Sequence, residues 1–113
     1  MAIKWSAEQR KKVDGILQFH PKDSSQCHDA AQQILPIAKT VDRETRIVRI
    51  RPKNRRAPFV VPRIPLAKPW YEHFTTEATL HYVDVLTGPD GTEVAVYGET
   101  HWKYPDELKF EAT

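Results

Sequence analysis

Cys27 is the only cysteine of the 113-residue chain, and it stands where a thiol can be made reactive. It opens an apolar stripe, Cys27, Ala30, Ala31, Ile34, Leu35 and Ala38, whose spacing predicts the strongest helix in the chain. At a helix start the unpaired amides and the helix dipole favour a thiolate, and the same amides can donate to an oxyanion as it forms. A thiolate becomes a catalyst when an imidazole exchanges its proton and an acid holds that imidazole. Turn chemistry in the last third supplies both. If Pro89-Asp90-Gly91 is a three-residue hairpin loop, Gly88 pairs with Thr92 and His81 faces Glu99, with β-carbons within about 5.5 Å. Cys27, His81 and Glu99 are therefore the expected catalytic residues, with His101 the reserve base. His28 is turned about 100° away from Cys27 around the helix, and His20 and His73 fall in or near loops. Asp84 points to the opposite strand face from His81, and Asp90 lies at the far turn.

The elements that must position these residues follow from patterning. Ser6 with Gln9 has capping-box spacing, and Val13, Ile16 and Leu17 give an amphipathic helix over roughly 6 to 18. Ser24 or Ser25 is the expected N-cap of the Cys27 helix, and Pro36 should end or kink it near Leu35. Arg46 to Arg51 reads as a strand near a sheet edge, where its charges stay solvated, and Phe59 to Val61 as a second short one. Five prolines between 52 and 69 forbid a helix in the middle of the chain. His81 to Thr87 and Thr92 to Glu99 read as the two strands of the hairpin. The expected architecture is one α+β domain, with N-terminal helices packed on a small antiparallel sheet and the Cys27 helix start facing the hairpin.

Composition excludes other classes. One cysteine permits no internal disulfide and no multi-thiolate metal cage, and no HExxH, CxxC, glycine-rich phosphate loop or GxSxG elbow occurs. No metal and no cofactor is expected. No run of about eighteen apolar residues is present, and the start lacks the apolar stretch of an export signal. The net charge of +2 hides an asymmetry: residues 43 to 63 hold eight basic side chains against Glu44 alone. That segment suggests an acidic partner, and it carries the alternative reading, a nucleic-acid-binding or nuclease domain in which Arg46, Arg49, Arg51, Lys53, Arg55 and Arg56 meet phosphates while Phe59, Trp70 and Tyr71 stack bases. A third reading is a noncatalytic module in which Pro58-Phe-Val-Val-Pro adds a strand to a partner.

The order of Gln26-Cys27-His28-Asp29-Ala30-Ala31 at a helix start, then His81-Tyr82-Val83-Asp84-Val85 opening a strand, then a glycine turn and a strand ending in an acid, resembles the papain-like fold. It is most similar to the compact papain-fold toxin domains at the C-termini of bacterial polymorphic toxins and contact-dependent effectors, over roughly residues 20 to 105. The resemblance implies a cysteine protease with Cys27 as nucleophile, His81 as base and Glu99 as orienting acid, acting on peptide or isopeptide bonds. It also implies the effector part of a longer chain, delivery into the cytoplasm of a competing bacterium, a protein substrate there, and a cognate immunity protein that blocks the cleft. Deamidation or acyl transfer would use the same three groups.

Overall fold

In a computed structural model, which describes residues 3–22, 26–54, 56 and 59–113, Ser6 and Gln9 close the expected capping box and start α1 (Ala7–Phe19). The second helix, α2, spans Cys27–Lys39 with Gln26 at its N-cap position; Ser24 and Ser25 lie outside the described residues. α2 does not end near Leu35 but continues through Pro36. That proline lies on the exposed face with Gln32, so the carbonyl it leaves unpaired is open to water, while Ala38 is fully buried and anchors the last turn.

The strands are β1 (Arg46–Pro52), β2 (His73–Ala78), β3 (His81–Val83), β4 (Thr92–Glu93) and β5 (Leu108–Ala112), all paired antiparallel in the order β4-β3-β2-β1-β5. The α+β class is as the sequence predicts. Val13, Leu17, Ile34 and Ala38 of the two helices pack with Ala78 and Val83 of the sheet. A second core holds Val48, Ile50, Val60, Tyr82, Tyr97, Trp102 and Leu108. None of the described helices is long and apolar enough to cross a membrane.

Two expectations about strands are overturned. β1 is not an edge strand but lies between β2 and β5, because its arginines are paired rather than solvated alone. Arg46 meets Glu77 at 3.2 Å, Arg49 meets Glu72 at 2.5 Å and Arg51 meets Glu111 at 2.5 Å. The segment Thr92–Glu99 is not a strand either: after two residues of β4 the chain turns into α3 (Val94–His101). Val94, Tyr97, Gly98 and His101 are sheltered while Ala95, Val96, Glu99 and Thr100 are exposed, a helical period that β-branched composition masks.

The Phe59–Val61 strand reduces to isolated bridges, Val60 with Trp70 and Pro62 with Trp102, and the proline-rich middle is otherwise irregular where described. The hairpin that organises the sheet is β2–β3, closed by the two-residue turn Thr79-Leu80. Both turn residues have positive φ, 51° and 60°, a strained state for a β-branched threonine. Asp42 holds the turn by accepting the Thr79 amide hydrogen at 2.7 Å.

Candidate active site

Phe74 and Thr76 of β2 face α2: Phe74 stacks on His28 with centroids 4.2 Å apart, and the Thr76 hydroxyl donates to the Ala31 carbonyl. This packing brings the first turn of α2 to the start of β2, and with it Cys27 to His73. Cys27 is coupled there to His73 and to the backbone amides of His28 and Phe74, all of which favour its thiolate.

His73 is completely buried. Its Nε2 lies 3.1 Å from Asp84 Oδ2, across the gap between β2 and the end of β3. A carboxylate can only accept, so Nε2 carries a hydrogen and Nδ1 is the nitrogen left for the thiol. Nδ1 has no hydrogen-bond partner among the described residues. The Trp70 indole stacks on the imidazole at 4.8 Å and 8°, and Trp102 meets it edge-on at 5.6 Å. These rings fix the imidazole plane and exclude water from the His73–Asp84 contact.

Asp84 is where β3 stops, and its local turn explains its position. Oδ1 accepts the amide hydrogens of Leu86 (2.8 Å) and Thr87 (3.3 Å), a side-chain turn that ends the strand and locks the carboxylate. Oδ2 accepts from His73 and from the Tyr97 hydroxyl at 2.7 Å. Tyr97 is fully buried and comes from α3. A carboxylate with four donors is well satisfied inside the protein.

The electrostatics follow from these contacts. Burial pushes the Asp84 carboxyl up, but the His73 charge and hydrogen bond, with Tyr97 and Thr75, hold it below its ordinary range. Burial would lower His73, yet the Asp84 charge and hydrogen bond, aided by Cys27, raise it to about 9. Burial would raise Cys27, yet the His73 hydrogen bond and charge, with the Phe74 and His28 amides, hold the thiol below its ordinary value. Both shifts favour a thiolate–imidazolium pair near neutral pH. The half-buried thiol borders a cavity of about 350 Å³ with walls that include Gln26, His28, Trp70, Tyr71, Phe74 and Val85.

Of the expected residues, the structure places Cys27 in this arrangement and leaves His81 and Glu99 out of it. His81 pairs across the sheet with Glu93, not Glu99, because residues 84 to 91, rather than Pro89-Asp90-Gly91 alone, connect β3 to β4 and shift the register, and its Nδ1 bonds to the Thr79 carbonyl at 2.7 Å. Glu99 is exposed on α3, and its backbone carbonyl accepts from Arg63. His101 bonds to Thr92. Asp84 does lie opposite His81 in strand alternation, and that face is the one His73 occupies. His73 was legible only through the alternating run His73-Phe-Thr-Thr-Glu-Ala, whose turn lacks the glycine that marks a tight hairpin.

In the basic segment Arg46, Arg49 and Arg51 each hold a glutamate and Arg63 donates to a carbonyl, while Arg43, Lys53 and Arg56 are exposed; Arg55 and Pro58 lie outside the described residues. Among the described residues no group of three or more His, Cys, Asp or Glu side chains is placed to hold a metal ion. No protein-family model matches the chain, and no curated protein or solved structure is significantly similar to it.

Proposed function

We propose that the protein is a thiol hydrolase, a cysteine protease that cleaves peptide or isopeptide bonds, with Cys27 as nucleophile, His73 as acid and base, and Asp84 as the group that orients His73. The observation that carries this reading is the buried His73–Asp84 pair closed onto a cysteine in the first turn of a helix, at the wall of an open cavity. The Cys27 thiolate attacks the carbonyl carbon, and the α2 amides, with Gln26 nearby, receive the oxyanion. His73 Nδ1 delivers its proton to the leaving amine as the C–N bond breaks. The same nitrogen then takes a proton from water, whose oxygen attacks the thioester, and the thiol leaves with that proton. Asp84 keeps Nε2 protonated throughout, so that only Nδ1 exchanges. The setting implied by the resemblance is an effector acting on proteins in a recipient bacterium and restrained by an immunity protein over the cleft.

The test is to add the purified chain and its Cys27→Ala, His73→Ala and His81→Ala forms to a bacterial lysate and profile new protein N-termini by mass spectrometry. New termini should appear with the native and His81→Ala chains and fall by about 10³-fold or more with the other two. Equal loss with His81→Ala, or termini that persist in Cys27→Ala, would remove the reading.

A further inference from the structure

β5 is the longer of the two edge strands of the sheet, and the direction of its backbone groups is fixed by its one neighbour. The amide of Lys53 donates to the Glu107 carbonyl and that of Thr113 to the Ile47 carbonyl. Hydrogen-bonded pairs alternate along an antiparallel ladder, so Lys109 and Glu111 also turn their amides and carbonyls toward β1. Phe110 and Ala112 therefore direct theirs outward, away from the sheet, as does the Leu108 carbonyl; the Leu108 amide is taken by Pro105. Lys109, Phe110 and Ala112 are all exposed.

We infer that β5 is a homodimerisation edge, pairing antiparallel with β5 of a second copy about a two-fold axis at Phe110. An antiparallel partner must match outward groups with outward groups, which a centre on any residue from Leu108 to Ala112 satisfies, but centres on Lys109 or Glu111 set like charges directly against each other. Only the Phe110 centre aligns all five residues. It pairs Phe110 with itself through two hydrogen bonds and lets each Ala112 amide donate to the opposite Leu108 carbonyl. In the same register Lys109 stands directly opposite Glu111 of the other copy, twice by symmetry, on the close non-hydrogen-bonded position where side chains interact most. Charges on an edge strand usually deter pairing with other chains. Here their order makes the strand complementary to itself, which is what a two-fold interface requires. The two sheets become one continuous sheet.

Sedimentation velocity over a concentration series tests this. The native chain should shift from monomer toward dimer as concentration rises. Ala112→Pro removes an amide hydrogen that the β1–β5 ladder does not use, so it should remain folded by circular dichroism and stay monomeric. Lys109→Glu and Glu111→Lys, the second also losing the Arg51 pair and so first shown to be folded by circular dichroism, should each be monomeric alone, and their equimolar mixture should dimerise because every charged pair between the two copies again has opposite sign. A native chain monomeric at every concentration, or a folded Ala112→Pro or Lys109→Glu chain that dimerises as well as the native one, would overturn the inference. So would a Lys109→Glu and Glu111→Lys mixture that stays monomeric.

Discussion

Tyr97 spends its hydroxyl hydrogen on Asp84, the same oxygen that holds His73, and so the strength of the Asp84–His73 contact depends on a phenol outside the proposed triad. Without that donor the carboxylate becomes more basic and stabilises the imidazolium further. Activity of the native chain should follow a bell against pH. It rises as the Cys27 thiol ionises below its ordinary value and falls as His73 loses its proton near pH 9. In Tyr97→Phe the alkaline limb should move upward by about half a pH unit or more and the turnover rate should drop about tenfold, as loss of a hydrogen bond to a charged group implies. A rate loss with an unmoved alkaline limb would mean that Tyr97 only fills space. At this scale the cysteine was legible because one thiol at a helix start is a local pattern. The partners were not, since His73 and Asp84 are chemically ordinary until strand pairing and burial bring them into contact.

At the scale of the element, the β2–β3 hairpin decides the site, since it brings Asp84, just past the end of β3, to 3.1 Å from His73 at the start of β2. Its turn is locally unfavourable: Thr79 and Leu80 both occupy the left-handed region, and Leu80 leaves an apolar side chain exposed. Replacing Thr79-Leu80 by Asn-Gly suits the required backbone and leaves the Asp42 bond to the residue 79 amide in place. It is expected to stabilise the protein by about 1–2 kcal/mol in denaturant unfolding without loss of activity; no gain would show that the turn is not strained. The same element explains the misplaced hairpin. Gly88 and Gly91 do take positive φ, as turn glycines should, but the turn they serve leads into a helix. A Cβ at Gly91 would stand 3.0 Å from the Tyr82 carbonyl oxygen, so this glycine serves close packing as well as turning. Local turn signals reveal that the chain reverses, not which segments then pair.

For the whole molecule, the buried charges link stability to pH. Asp84 is depressed below its ordinary 3.8, so its contribution is present above that value and lost as pH falls through the lower folded one. His73 is raised from 6.5 to about 9, so its contribution is complete below 6.5 and lost as pH rises through about 9. Cys27, depressed, contributes with the opposite sign on the alkaline side, and the two partly cancel. Thermal unfolding of Cys27→Ala should therefore give its highest Tm near about pH 5–6 and fall between 6.5 and 9 more steeply than the native chain. Equal slopes would mean that thiol and imidazole are uncoupled. The sequence by itself determined the α+β class, the capping box of α1, the stripe of α2 and the place of Cys27 at a helix start, because each depends on spacing within one element. The partners of Cys27, the inner position of β1 and the helix that carries Tyr97 were decided only in three dimensions. There, charge pairing among Arg46, Arg49, Arg51 and three glutamates offsets what solvation would otherwise demand of a strand. Burial against two tryptophans likewise turns an unremarkable histidine into a fixed imidazole held by Asp84.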